Sequence, residues 1–303
     1  MKVLMTGSSG FIGSHMTARL EKQHTLYHLK SDLLDFDNVA QEVAEFAPDV
    51  IVHLAARTEV ETSFYEQVSF SQVNYVGTVN LIEAASKLPN LQNFVFASTM
   101  EVYGWQPISD DVEHNTVPTE FVAFDENTIP NPNAPYAVAK LACEKYLEYA
   151  HRALGLPFTA IRQTNSYGRK DNNFFVTEQI ITQMLAGDVV NLGYAEPYRN
   201  FIYIDDLLDA WQTVIENPSK VVGHILTIGP NDPIKIRDYA DKIAAMIGWQ
   251  GTINWDTKPA RPGEIYWLNS TNDKITALTG WQPRVDLDTG LQHTIDFWRT
   301  QHR

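Results

Sequence analysis

KVLMTGSSGFIGS, residues 2–14, is the stretch that decides how this chain folds. Lys2–Thr6 reads as a short buried strand, Gly7, Gly10 and Gly13 as a tight turn, and the residues from Phe11 and Ile12 to about Gln23 as a helix. That order aims bare backbone N–H groups at whatever lies over the turn, which makes a cradle for phosphate. Gly7 permits the turn, Gly10 lets the backbone close on a pyrophosphate, and Gly13 lets the helix pack near the strand. A glycine triplet alone is weak evidence, but its place directly after the first strand strengthens it.

The rest of the 303 residues supplies a setting for such a turn. The length suffices for one large α/β unit or two lobes. No apolar run approaches a membrane span and the first residues read as a strand rather than a signal sequence, so a soluble, cytoplasmic protein is expected. One cysteine, Cys143, excludes an intramolecular disulfide and a multi-cysteine zinc site, and it reads as a small buried helix residue. No metal is expected. The formal charge of −14 and the lack of a lysine/arginine run exclude a nucleic-acid partner. An anionic small ligand then requires local arginines.

Working outward, Thr25–Leu29 reads as a second strand, followed by Lys30 where a carboxylate would ordinarily hold an adenosine ribose. A lysine favours a 2′-phosphate, so NADP stays open beside NAD; alternatively Lys30 is solvated and Asp32 serves. An amphipathic helix at about Phe36–Phe46 leads to DVIVHLAA (Asp49–Ala56), a strand buried on both faces, whose Leu54, Ala55 and Ala56 let a dinucleotide lie against the backbone. A helix at about Phe70–Leu88 and the strand Asn93–Thr99 continue the alternation, which specifies a doubly wound parallel (Rossmann) sheet. Trp105–Pro135 is a long acidic loop, read as a lid or site wall. A strong helix, about Tyr136–Leu154, and the strand Phe158–Arg162 follow. Residues 1–168 are thus expected to form a dinucleotide-binding unit to which about 200–222 return, and 169–303 a smaller α/β lobe that includes Ile225–Ile228.

Tyr136 and Lys140 lie one helical turn apart and face the same way. With Thr99 at the end of a neighbouring strand they suit acid–base work. A tyrosine of ordinary pKa, about 10, is a poor base, but a lysine cation and a cationic nicotinamide ring favour the phenolate. Tyr136 would then take a hydroxyl proton while hydride leaves the same carbon, with Thr99 bound to the reacting oxygen and Lys140 holding the nicotinamide ribose.

On these residues and on TGSSGFIGS, Asp32-Leu33, HLAA, NYVGT (Asn74–Thr78), STMEVYG, PYAVAK, RQTNSYG, RNFIYIDD and RPGE, taken in order, the chain resembles an extended short-chain dehydrogenase/reductase of the NAD-dependent epimerase/dehydratase family, which acts on nucleotide-activated sugars. The resemblance spans essentially the whole chain. It implies that Asp32 and Leu33 border the adenine and that Asn74 and Ala97 line the nicotinamide side. It also implies that Asn165 and Asn173 approach the substrate and that Arg199 and Arg261 grip the diphosphate of a nucleotide sugar. A homodimer packed through the Asn74–Leu88 and Tyr136–Arg152 helices is implied too; Val79, Ile82 and Ala85 suit it, as they suit a monomer core.

Two departures bear on the activity. The segment between the second strand and Asp32 is short, as in the family's 4-keto-sugar reductases. The loop reads Thr99-Met100-Glu101, where the family's 4,6-dehydratases carry an Asp before the Glu, and methionine has no proton to give. The leading expectation is an NAD(P)-dependent nucleotide-sugar epimerase. The alternatives are a dehydratase or decarboxylase that uses Glu101, with a donor from the Trp105–Pro135 loop, and an NADPH-dependent 4-keto-sugar reductase. A regulatory nucleotide-binding module is disfavoured because Thr99, Tyr136 and Lys140 are all present.

Overall fold

A computed structural model describes residues 1–106, 118, 121–170, 172–258 and 261–301. Its centre is a six-stranded, all-parallel sheet of β1 (Lys2–Thr6), β2 (Thr25–His28), β3 (Val50–His53), β4 (Asn93–Thr99), β5 (Phe158–Gln163) and β6 (His224–Ile228). In space the order is β6-β5-β4-β3-β1-β2. The chain leaves β1 in one direction to build β2 and in the other to build β3, so the switch point lies between β1 and β3, where open α/β sheets take their ligands.

Every residue of β3 and β4 is buried, which explains their near-continuous apolar runs. Alternate side chains serve two cores. Leu4, Ile51, Phe94 and Phe96 pack with α2 (Phe36–Phe46), α3 (Gly77–Ala85) and α4 (Pro135–Leu154) through Val39, Val43, Leu81, Ile82, Cys143 and Leu147. Val3, Met5, Val50, Val52 and Val95 face α1 (Phe11–Leu20) and α6 (Ile204–Glu216), meeting Met16, Leu207 and Trp211. Between α4 and α6 the chain forms α5 (Val176–Ala186), which adds Ile180 and Ile181 to the second of these cores.

Two expectations change. The helix expected over Phe70–Leu88 is built in three pieces: an α-turn at Gln67–Ser71, a π-turn at Gln72–Val76, and α3. The extra residue per turn puts Asn74 inward, and such turns cluster at functional sites. Ile225–Ile228, assigned to the smaller lobe, pairs with β5 as the sixth strand of the central sheet. An apolar strand carries no mark of which sheet it joins, since both settings bury it. Beyond the carboxyl ends of the strands lies a small sheet of Ile234–Lys235, Tyr198–Arg199 and Trp267–Leu268, with Met100 and Tyr103 packed against Ile265, Trp267 and Leu268.

Candidate active site

The turn after β1 is shaped by close backbone approaches. Gly7 takes φ +70°, and a Cβ there would stand 2.6 Å from the nitrogen of Ala55, at the end of β3. A Cβ on Gly13 would meet the Gly7 carbonyl and stand 2.8 Å from Ser8 Cα. Gly10 differs: its backbone is extended, and a Cβ would meet only the Gly7 carbonyl, at 3.4 Å. Nothing in the protein requires a glycine at 10. Gly10 is the residue before the first turn of α1 and leaves open space there, so the turn fits the pyrophosphate of a dinucleotide.

The end of β2, where a ribose was expected, is organised by a residue the sequence did not single out. The Glu42 carboxylate, reaching back from α2, accepts the backbone N–H of Lys30 (3.0 Å) and Ser31 (2.8 Å), the Tyr27 hydroxyl (2.8 Å) and the Ser31 hydroxyl. Lys30 is exposed and lays its ammonium over the Tyr27 ring, 5.7 Å from the centroid. Asp32 accepts the Leu34 N–H at 2.9 Å, and Leu33 is buried against Gly77. A helix glutamate facing the end of β2 is the signal that was available.

Thr99 ends β4 and caps the single 3-10 turn Met100–Tyr103, its hydroxyl accepting Glu101 N–H at 3.2 Å. Pro135 starts α4, whose first turn brings the Tyr136 phenol into hydrogen-bonding reach of Thr99. Lys140, one turn on, is buried; its ammonium donates to the Ala97 carbonyl at 2.6 Å and lies 6.0 Å from the Tyr136 ring centroid. Burial lowers its pKa to about 8. Tyr136 does not follow the expected direction. Burial raises the phenol well above its ordinary value, the Thr99 bond opposes this, and the Glu101 and Glu59 carboxylates add to it. Surrounded by protein groups alone, the phenol keeps its proton, because desolvation and the two carboxylates outweigh the Thr99 bond.

The Glu101 carboxylate acts on the charge of Tyr136 and on those of two arginines, Arg199 and Arg261. Both arginines hold one carboxylate, that of Glu264: Arg199 at 3.1 Å, Arg261 at 2.9 and 3.0 Å. Burial lowers the pKa of Arg199, with Glu264 opposing; at Arg261 burial also opposes the charge, but Glu264 outweighs it and the pKa rises. Two guanidiniums share the Glu264 carboxylate with Glu101 as a second counter-charge, so the arginines give the acidic chain a local pair of donors suited to an anion rather than a surplus of positive charge.

Other positions fall differently. Asn74 was expected to line the nicotinamide side, but its amide is spent on the Arg57 main chain, accepting N–H at 2.8 Å and donating to C=O at 2.9 Å. Met100 is buried in the apolar cluster of Tyr103, Phe124, Ile265, Trp267 and Leu268. Asn165 lies on a short strand paired with Phe201–Tyr203, and Asn173 is exposed. Much of the Trp105–Pro135 loop, including 107–117, lies outside the described residues; of the rest, Trp105 Nε1 donates to the Glu264 carbonyl and Glu126 accepts Thr227 N–H. Cys143 is buried, its thiol pushed up to about 11 by burial. Among the described residues no three His, Cys, Asp or Glu gather to hold a metal, and no helix is long and apolar enough to cross a membrane.

The model of the NAD dependent epimerase/dehydratase family matches residues 3–229. The chain belongs to this family. The epimerase/dehydratase relatives include a dTDP-D-glucose 4,6-dehydratase of Dictyostelium discoideum, 27% identical over 270 residues, and a trifunctional UDP-glucose 4,6-dehydratase/UDP-4-keto-6-deoxy-D-glucose 3,5-epimerase/UDP-4-keto-L-rhamnose-reductase of Arabidopsis thaliana, 27% identical over 330 residues. The alignments take in 80% and 99% of this chain and 61% and 47% of those proteins, so the chain spans about half the length of these two relatives. Among solved structures, the UDP-glucose 4-epimerase of Thermotoga maritima, determined with UDP-glucose, superposes with a TM-score of 0.89 at 26% identity over 100% of both chains. The epimerase/dehydratase fold is thus common to chains of different activity, and residues must discriminate among them.

Proposed function

We propose that this epimerase/dehydratase family member is an NAD-dependent nucleotide-sugar epimerase acting through transient oxidation at C4 of the sugar. One observation carries the reading: Thr99, Tyr136 and Lys140 converge at the strand ends, while the neighbouring Met100 is buried against Ile265, Trp267 and Leu268. The oxidation apparatus is present, and the position from which an acid would protonate a departing hydroxyl offers an apolar side chain turned away.

Gly7, Gly10, Phe11, Ile12 and Gly13 would hold the pyrophosphate of NAD, Asp32 and Leu33 its adenine, Leu54, Ala55 and Ala56 its backbone-facing side, and Lys140 its nicotinamide ribose. When bound, NAD supplies a hydride acceptor and a cationic ring. Beside that charge the Tyr136 pKa would fall so that the phenol gives up its own proton to solvent, and the phenolate oxygen would then take the C4 hydroxyl proton and return it when the keto-sugar is reduced, while Thr99 hydrogen-bonds the sugar oxygen. Glu101 hydrogen-bonds the sugar, and Arg199 and Arg261 hold the diphosphate. NAD is favoured over NADP because Lys30 is drawn onto Tyr27 and the carboxylates of Glu42, Asp32 and Asp35 would repel a 2′-phosphate.

A second copy of this chain is proposed to pack on the face made by Val68, Val76, Val138 and Tyr149, which are 72%, 43%, 51% and 47% exposed. Ile82 and Ala85 are taken up by the monomer core. Residues 1–168, with the return now reaching Ile228, would hold the dinucleotide, and most of 169–303 the nucleotide sugar.

The test is incubation in D2O with UDP-, GDP-, CDP- and dTDP-sugars, with and without NADPH, followed by mass and proton spectra. Unchanged mass with an inverted carbon and no deuterium is expected. Loss of water or carbon dioxide would instead assign a lyase using Glu101, and stoichiometric NADPH consumption a reductase. No turnover together with no bound dinucleotide would sink the catalytic reading.

A further inference from the structure

We propose that Glu144 is the positioning residue of the site, a carboxylate that fixes the Tyr136–Lys140 face of α4 against the strand carrying Thr99 and the turn carrying Glu101. The proposal rests on the reading above, in which those residues do the chemistry.

Tyr136, Lys140 and Glu144 recur every four residues and share a helix face. Glu144 is fully buried. Its Oε1 accepts the hydroxyl of Ser98, the residue before Thr99 on β4, and Arg162 Nε on β5 at 3.0 Å; its Oε2 accepts Arg162 Nη2 at 2.7 Å. The Arg162 guanidinium stacks 5.1 Å from the centroid of the Tyr103 ring, in the same single turn as Glu101. The Tyr103 hydroxyl bonds the Asp125 carbonyl at 2.8 Å and the Thr227 hydroxyl of β6 at 2.9 Å. One carboxylate therefore links α4 to β4 and β5 directly, and through Arg162 and Tyr103 to the Glu101 turn and β6. A buried ion pair is a poor source of stability, since well-packed apolar residues of equal volume do as well. What apolar residues cannot supply is directional registration of α4 against four other elements at once.

Glu144 also bears on the charge of Lys140. The groups facing that ammonium are Tyr136, Cys143 and Glu144 on its own helix and His53 from β3; β4 offers the Phe96 ring and the Ala97 carbonyl. Burial works against the cation, and Cys143 and then Glu144 support it; His53 is neutral and the Cys143 thiol is pushed up by burial, which leaves Glu144 as a carboxylate support for the ammonium.

The experiment compares the wild type with Glu144→Asp and with the charge-free pair Glu144→Leu/Arg162→Met, which keeps the packing even where Glu144→Gln alone fails to fold. The pair is expected to fold with a thermal midpoint within about five degrees of wild type, yet to lose at least about thirtyfold in kcat with KM within about threefold, and to move the basic limb of the pH profile down by about one pH unit. Glu144→Asp, charged but shorter, should keep the pH profile and still lose kcat. A readout independent of turnover uses 3-fluorotyrosine throughout, the Tyr136 signal being assigned by its loss in Tyr136→Phe. That 19F line is expected to be single in wild type, shifted or broadened in the pair, with the buried Tyr239 line unmoved. An unmoved Tyr136 line, or wild-type kcat and pH profile in the pair, overturns the proposal. Absence of turnover in the wild type would overturn the functional reading alone, and the 19F comparison would still decide this one.

Discussion

Tyr136 is a phenol kept neutral by burial and by two carboxylates, poised so that one added positive charge alters its state. Tyr136→Phe is expected to lower turnover by at least about a hundredfold, the size of a lost general base, while NADH affinity measured by fluorescence stays within about threefold. Near-normal turnover would remove the phenol from the mechanism. His53 is the opposite case, a titratable group held in one state for structure. Thr78 donates to the Asn74 carbonyl at 2.6 Å, so its oxygen accepts His53 Nε2–H at 2.8 Å. Nδ1 then accepts the Thr6 hydroxyl at 2.6 Å, and Thr6 Oγ1 accepts Ala55 N–H at 3.1 Å. This directed chain ties the glycine turn to the π-turn and leaves the ring no room for a second proton; burial, then Lys140, lowers its pKa to about 3. The stabilisation is complete above the unfolded value of about 6.5 and is lost as the pH falls toward 3, because the unfolded chain takes the proton first. Between pH 7 and pH 5 this histidine alone should cost about 2 kcal/mol, read from urea midpoints. In His53→Gln that share of the pH dependence should vanish; an unchanged slope would refute the assignment.

At the scale of elements, the glycine turn separates two kinds of requirement. Gly13→Ala drives a Cβ into the Gly7 carbonyl and is expected to destabilise the fold by about 1–3 kcal/mol, seen as a lower thermal midpoint. Gly10→Ala meets nothing closer than 3.4 Å, so the midpoint should hold within about two degrees while dinucleotide affinity drops at least tenfold. Equal affinity in Gly10→Ala would show that the cradle lies elsewhere. These elements were legible because local pattern and tertiary role agree: β1, β3 and β4 are apolar runs because both sheet faces are covered, and α2 shows its buried Val39 and Val43 at helical spacing. The rest was hidden where a side chain's task depends on a distant partner. Arg199 and Arg261 could be read as cations, but not that Glu264 would be shared between them. Asn74 could be placed in a family block, but the π-turn that spends its amide on Arg57 leaves no trace in apolar periodicity.

At the scale of the whole molecule, the outward face of α4 and of the segment before α3 is where solution behaviour should be read. Val138→Glu combined with Tyr149→Glu is expected to give a monomer by sedimentation velocity with an unchanged thermal midpoint, from a dimeric wild type. A monomeric wild type at micromolar concentration would dismiss the second copy. The sheet itself carries a different consequence. Its outermost strand, His224–Ile228, is drawn from beyond α5 and α6, after the chain has already made an excursion over the strand ends. A fragment ending at Gly168 would leave β5 with a naked rim of N–H and C=O groups, an invitation to stick to its neighbours. The first half of the chain is therefore no detachable cassette: during synthesis it must wait, unfinished, for some sixty further residues to emerge before its border can be sealed, and chimeras that swap only the front of the chain should aggregate unless they carry this late strand with them.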